Sequence, residues 1–387
     1  MRIFVLGAGA VGALLAKLLA RQGHTVWCGD RNPERARRFL DPALPLQKVN
    51  ARNLRAIVRA GRSCHLLVNA APANSNETVL RAALHLRAHY LDMATHLGRN
   101  PFKAEQLRYD RRFREKRRVA VINAGVAPGL TNLLVARSAG LLEEVEQVHV
   151  RLYESVESQD PVSTWSHEIA FDEATSRPRV YRRGRFRLAR RFSEPEWFRF
   201  PSPIGRSRVV LAAQDEVGTL PHFIPMREMD VKIGGNEIDR LRRWYGLGKL
   251  WRSAGLVRGR FPPTLTPRQV ARLIRRRLLT NARFGVAVVV RGIKAGEPLE
   301  LRWDCLVPSL YQIRLKGLYM TPIAYSTAQV AALFVKHLPR DLPGVYPPEA
   351  LPTPVRRALL AELKHRGFAI TFKTRKWKKP EPEEDEF

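Results

Sequence analysis

Three glycines and an acid open the chain at a spacing suited to phosphate binding. Gly7-Ala8-Gly9-Ala10-Val11-Gly12 is a complete G-x-G-x-x-G, and Asp30 follows 18 residues after its last glycine. In a dinucleotide site the first glycine permits a tight turn. The second lets a pyrophosphate approach the backbone, and the third lets a helix pack close to a strand. Free N–H groups at the helix start, with its partial positive charge, then favour the phosphates. Asp30 suits the ribose 2′-hydroxyl of NAD, whereas Arg31 suits the 2′-phosphate of NADP, so either dinucleotide fits.

Hydride transfer asks a protein mainly for orientation, but the accompanying proton needs a general acid or base. Asp92 is the first candidate, with His89 and His96 close in sequence. His167 is the second, next to Glu168 and near Trp165, on a stretch that also carries Asp172 and Glu173. Arg182, Arg183 or Arg185 offers a guanidinium to a substrate carboxylate. Pro128 stands at a helix start, so Pro128, Gly129, Thr131 and Asn132 lie where unpaired N–H groups meet a ligand. Tyr90 and Trp165 complete the expected substrate contacts. Cys28, Cys64 and Cys305 are far apart and odd in number, so neither a disulfide framework nor a metal site is expected.

These groups need a scaffold, and the periodicity supplies one. Apolar runs over 2–6, 25–28, 46–49, 65–69, 89–91 and 119–122 read as strands. They alternate with helical patterns over 11–20, 33–40, 54–60, 77–87 and 102–118. That alternation predicts a Rossmann-type, doubly wound parallel sheet, with ligands at the carboxyl ends of the strands. Asn50, Ala70-Ala71-Pro72 and Asn123-Ala124-Gly125 fall at those ends and join the expected cofactor contacts.

From about residue 146 the pattern changes. Strands are expected over 148–153, 209–213, 229–233, 284–292 and 297–306, and a hairpin over 180–189 turning at Gly184. The Arg-rich stretch 241–279 reads as helical. Together these predict a second, α+β domain on a mostly antiparallel sheet. A helix over 321–337, an extended loop over 342–349, a helix over 354–366 and a strand over 368–372 follow. The expected division is 1–140 for the dinucleotide and 141–318 for substrate and dimerisation. Residues 319–372 return to the first domain, and 373–387 form a disordered charged tail.

The 387 residues carry 67 Lys and Arg against 36 Asp and Glu, a net charge of +31. Such a field attracts anions. Yet 53 of the basic residues are arginines spread over the whole chain, which argues for compositional bias and against a specific nucleic-acid partner. No run reaches the ~18 apolar residues of a membrane span. A reducing, cytoplasmic compartment is expected.

Several stretches together resemble the saccharopine dehydrogenase family, which includes saccharopine reductase and carboxynorspermidine dehydrogenase. They are Leu67-Val68-Asn69-Ala70-Ala71-Pro72 with Tyr90-Leu91-Asp92, and Asn123-Ala124-Gly125 running into Pro128-Gly129-Leu130-Thr131-Asn132. Pro343-Gly344-Val345, Pro348-Glu349 and Glu362-Leu363-Lys364-x-Arg366-Gly367 extend the likeness to about Phe372. The resemblance implies a Rossmann domain with an inserted substrate domain, NAD or NADP as cofactor, and a homodimer. It implies redox chemistry at a C–N bond of an amino-acid-derived or polyamine-like amine. Two other expectations stay open: an enzyme of the same fold acting on an unsaturated lipid intermediate, and a non-catalytic dinucleotide-binding protein. Two features depart from the family pattern: Asn50 where an acid near the adenine is common, and the heavy arginine content of the second domain.

Overall fold

The computed structural model describes residues 1–98, 100–159, 162, 167–253, 256–258 and 264–379. The first 140 residues form strands β1 (Arg2–Leu6), β2 (Thr25–Asp30), β3 (Leu46–Lys48), β4 (Leu66–Asn69), β5 (His89–Asp92) and β6 (Val119–Val121). Helices α1 (Ala10–Arg21), α2 (Pro33–Arg37), α3 (Leu54–Ala60), α4 (Asn76–Leu86), α5 (Asp110–Glu115) and α6 (Leu130–Ala139) alternate with them. All pairings in this sheet are parallel, in the order 3-2-1-4-5-6 that places the β1 and β4 ends at the switch point. Strand residues alternate between two cores. Ile3 and Val5 face one, Phe4 and Leu6 the other.

The second sheet begins with the long strand β7 (Glu144–Ser158), followed by helix α7 (His167–Thr175). A hairpin, β8 (Arg179–Arg182) and β9 (Arg185–Leu188), turns at Gly184. Strands β10 (Glu196–Arg199), β11 (Arg206–Leu211), β12 (Glu228–Gly234), β15 (Leu279–Lys294) and β16 (Glu297–Leu306) complete most of it. Between β11 and β12 lies α8 (Leu220–Phe223). Between β12 and β15 lie α9 (Asn236–Gly246), the two-stranded pair β13 (Trp251–Ser253) and β14 (Leu256–Arg258), and α10 (Pro267–Arg275). Every pairing but that of β12 with β7 is antiparallel.

After α11 (Leu310–Leu315) comes α12 (Pro322–Lys336), apolar on nearly every side and buried from Pro322 to Val335. It packs against α1 on one side and β15 on the other. Val148, Val150 and Val288 of the second sheet therefore share one core with Ile3, Val5 and Leu333. Helix α12 is the mortar that fixes the two sheets around the cleft between them.

Four expectations change. The stretch 102–118 is not one helix: a 3₁₀ turn over Glu105–Tyr109 precedes the short α5. The stretch 241–279 is interrupted, because Gly246 and Gly248 end α9 before the β13–β14 pair. The loop 342–349 contains strand β17 (Gly344–Tyr346), which extends the parallel sheet beside β6. After α13 (Thr353–His365), the last strand, β18 (Ala369–Lys376), runs into the basic tail and pairs with β16, not with the first domain. Backbone pairing outweighs the exposed lysines there. Residues 380–387 lie outside the described set.

Candidate active site

A cleft of about 390 Å³ opens at the carboxyl ends of the parallel strands. One end is the glycine turn, where Gly9, Ala10, Val11 and Gly12 form the wall. The turn is locked in place. Gly7 N–H donates to the Gly29 carbonyl at 2.7 Å, and Ala8 N–H donates to Asp30 Oδ2 at 2.9 Å. A Cβ on Gly7 would lie 2.6 Å from the Ala70 carbonyl carbon, and one on Gly12 only 1.9 Å from the Gly7 oxygen. Neither position admits a side chain. A Cβ on Gly9 meets nothing within 4 Å. Open space over the glycine expected to face a phosphate, beside an α1 N-terminus with no acid in its first turn, fits a dinucleotide pyrophosphate.

Asp30 behaves differently from its sequence reading. Its second oxygen accepts from Asn32 N–H at 2.9 Å, so the carboxylate braces the turn, and it does not line the cleft. Arg31 does not line it either, whereas Arg35 and Phe39 do. Asn50 closes its own loop by accepting from Arg52 N–H at 3.0 Å and also stays off the cleft.

The middle of the cleft is built by Ala70, Ala71 and Pro72 after β4 and by Gly125 and Pro128 after β6. Behind it, Asn69 Nδ2 donates to Asn76 Oδ1 at 2.7 Å, and Asn76 Nδ2 donates to the Ala94 carbonyl at 2.7 Å. That ladder ties the β4 loop to the β5 loop. Asp92, 1 % exposed, lines the cleft from below. Its carboxylate accepts from Tyr90 Oη at 2.9 Å, Gln106 Nε2 at 3.2 Å and Asn123 N–H at 2.9 Å. Burial pushes its pKa up to about 7 against the pull of these donors. Asn123 and Ala124 are fully buried. Asn123 sits at φ +59° and accepts from Thr95 Oγ1 at 2.5 Å, so both support the loop from behind.

Four expected substrate contacts do not reach the ligand space. Tyr90 is fully buried in the core that holds Phe4 and Leu6, and its hydroxyl is spent on Asp92 beneath the cleft. Thr131 and Asn132 are buried in a polar lock. Thr131 Oγ1 donates to Glu216 Oε1 at 2.9 Å, and Asn132 Nδ2 donates to Glu349 Oε2 at 2.9 Å. Gly129 N–H donates to Asn132 Oδ1 at 3.0 Å, which orients that amide. The lock joins α6 to the 3₁₀ turns Glu216–Gly218 and Pro348–Ala350. Gly129 is absent from the cleft wall as well. Arg182 pairs with Asp230 and Glu194 at 3.0 and 2.9 Å, and Arg183 and Arg185 also stay off the cleft. Trp165 lies outside the described residues. His167 opens α7, but its side chain and that of Glu168 lie outside them too.

The far end of the cleft belongs to the second sheet. Leu152 and Glu154 share one face of β7, opposite Ile233 and Phe284 in register, and all four line the cleft. Asp172 and Glu173 reach it from α7, Arg179 from the start of β8, and Gln214 and Asp215 from the loop after β11. Gln214 Nε2 donates to Glu173 Oε1 at 2.6 Å, and Thr95 N–H donates to Asp215 Oδ2 at 3.2 Å. Burial and then the neighbouring Glu154 raise Glu173 to about 8. Burial raises Asp215 to about 6, with Arg179 and the Thr95 amide opposing it. The sequence reading missed Glu154, Arg179, Gln214 and Asp215. The one signal was Gln214-Asp215 placed just past an apolar strand.

Residues 3–121, the glycine turn and most of the parallel sheet, match the saccharopine dehydrogenase NADP-binding domain. Through residues 3–121 the chain carries a dinucleotide-binding domain of the saccharopine dehydrogenase kind. It is accordingly an NAD(P)-dependent oxidoreductase, with NAD or NADP as its cofactor. The whole chain is similar in fold to the apo saccharopine dehydrogenase (L-Glu forming) of Saccharomyces cerevisiae. The two are 10% identical over 97% of this chain and 99% of that one, with a TM-score of 0.71. The DAP dehydrogenase of C. glutamicum is 12% identical over 95% and 98%, at a TM-score of 0.46. Among the described residues no group of acids, histidines and cysteines is arranged to hold a metal ion, and no helix is long and apolar enough to cross a membrane.

Proposed function

We propose that this protein transfers hydride at the C–N bond of an amino-acid-derived or polyamine-like amine, as in the saccharopine reductase type of chemistry. One observation carries the reading: a single cleft joins the glycine turn to titratable carboxyls on the second domain. The residues from Gly9 to Gly12 hold the pyrophosphate, and Ala70 to Pro72 leave room for the flat ring. Arg35, at the same end as the turn, favours the 2′-phosphate of NADP, since Asp30 is already committed to two backbone amides. When bound, the dinucleotide supplies or accepts the hydride at its nicotinamide.

The protein's own task is the proton. A group that exchanges one near neutrality works best with a pKa near the operating pH. Asp215, raised to about 6, faces the cleft and exchanges a proton with the substrate nitrogen. Asp92 lies beneath and acts as a positioning residue through Gln106 and Asn123. The apolar face of Leu152, Ile233 and Phe284 excludes water from the reacting carbon. The reading includes a homodimer in the cytoplasm.

The test is loss of NADPH absorbance with paired amines and carbonyl compounds, followed by product analysis. A secondary amine as product supports the proposal. Turnover of an enoyl compound with none of the amine pairs replaces it with the lipid-intermediate reading.

A further inference from the structure

The carboxyl ends of the parallel strands carry the cleft, and their amino ends carry a second group of polar residues that the cleft does not use. Four neighbouring strands stand in the order β6, β5, β4, β1. Register sets Ile3 beside Leu66 and Leu66 beside His89. Arg118, His89, His65 and Arg2 therefore follow one another along this edge, each at the start of its strand or just before it. At about 4.8 Å per strand the row is about 14 Å long. The backbone ladder runs through it: His65 N–H donates to the Arg2 carbonyl at 2.8 Å, and His89 N–H donates to the His65 carbonyl at 2.9 Å. His89, close to Asp92 in sequence, thus belongs to the opposite end of β5. The length of β1 separates this edge from the glycine turn by roughly 16 Å, so the phosphates of a dinucleotide held there do not reach it.

The side chains of the row offer donors. Arg2 N–H donates to His65 Nδ1 at 3.2 Å, and Val119 N–H donates to His89 Nδ1 at 3.1 Å. With Nδ1 accepting, each ring carries its proton on Nε2, and neither Nε2 has a partner among the described residues. Burial, then Arg118 and Arg340, lower His89 to about 4, and burial and then Arg2 lower His65. Both rings are therefore neutral donors near pH 7. Arg2 Nε donates to the Ser63 carbonyl at 2.7 Å. Arg118 donates to the Arg87 carbonyl through Nε and to the Arg117 carbonyl through Nη1 at 2.8 Å. These bonds hold the two guanidiniums in place and leave further N–H groups on each. Arg340 stands before β17, the strand beyond β6, and its charge bears on His89. None of Arg2, Arg118 and Arg340 makes an ion pair with a carboxylate among the described residues. The arginines of the second sheet differ, for Arg151, Arg182 and Arg291 each hold an acid.

We propose that the amino edge of the parallel sheet is a second binding site, for a small ligand bearing two or more phosphate groups. Such a ligand brings only acceptors to a row of donors, and guanidiniums match phosphate oxygens in geometry as well as charge. The row is too long for one phosphate to span. A nucleic-acid strand shares the phosphates, but the row has no aromatic side chain on which bases would stack.

The experiment is calorimetric titration of sodium tripolyphosphate into the full chain with saturating NADPH present. It is run at about 200 mM salt, where contacts made only by dispersed charge fall away. Saturable binding is expected. Arg2→Gln and Arg340→Gln are each expected to weaken it about tenfold, the scale of one charge-assisted hydrogen bond. Arg340 has no side-chain hydrogen bond among the described residues, so its variant should fold whatever Arg2→Gln does. Arg268→Gln removes the same charge from the exposed side of α10 and is expected to leave the affinity unchanged. No saturable binding, equal weakening by all three variants, or unchanged affinity in both Arg2→Gln and Arg340→Gln overturns the proposal. A short oligothymidylate that binds more tightly than tripolyphosphate overturns it in favour of a nucleic-acid contact.

Discussion

Asp92 shows why a residue's place in the sequence does not settle its job. It stands at the carboxyl end of a strand, where catalytic acids are sought, but its carboxylate already receives three donors while 1 % exposed. In Asp92→Asn an amide NH₂ replaces one acceptor oxygen and leaves a buried donor unmet. A loss of about 1–3 kcal/mol in urea unfolding is expected. Asp215→Asn should instead remove the limb near pH 6 from the pH–rate profile, with stability little changed, because Asp215 faces the cleft. Retention of that limb would transfer the proton role elsewhere. The glycine turn was legible in the sequence because backbone sterics permit few solutions. Asp215, Glu173 and Arg179 were not, because residues so far apart meet only through the fold. Asp30 was found in the right place, and the fold adds a second job there, bracing the turn through the Ala8 and Asn32 amides.

At the scale of elements, the lock at the start of α6 carries a pH dependence. Burial raises both Glu216 and Glu349 to about 7 from an ordinary value of 4.5. A carboxyl whose folded-state pKa is raised favours folding in its protonated form. Its contribution is whole below 4.5 and is lost as pH rises through about 7. The melting temperature should therefore fall between about pH 4.5 and pH 7 and level off above, and Glu349→Gln should shrink the fall. A flat profile would mean that the pair is solvated. Helix α12 makes a second prediction. Leu333→Ala opens a cavity where the two domains share their core, and a loss of about 2–5 kcal/mol in a single transition is expected. Two separate transitions would show that the domains unfold apart. Most strands and helices were readable from period and turn residues. Strand β17 was not, since three residues between prolines carry no period. The basic end of β18 was hidden as well, since its stability comes from pairing with β16 and not from its own composition.

For the whole molecule the sequence read fold class well. A parallel sheet needs apolar strands alternating with helices, and that alternation is visible without partners. It could not show that α12 fuses the two sheets into one core. The net charge of +31 makes a prediction of its own. Duplex DNA should be retarded at low salt and released by about 200 mM salt, because dispersed arginines give contacts without sequence readout. Retention at that salt would point to a built nucleic-acid site. The central claim is that the cleft is a dinucleotide site opening onto the second domain, and calorimetric titration of NADPH into the native chain and Gly9→Asp tests it most directly. The new side chain enters open space, so the variant should fold as the native chain does. Its carboxylate should then exclude the pyrophosphate, giving saturable binding in the native chain and none in the variant. Equal binding by both would contradict the account.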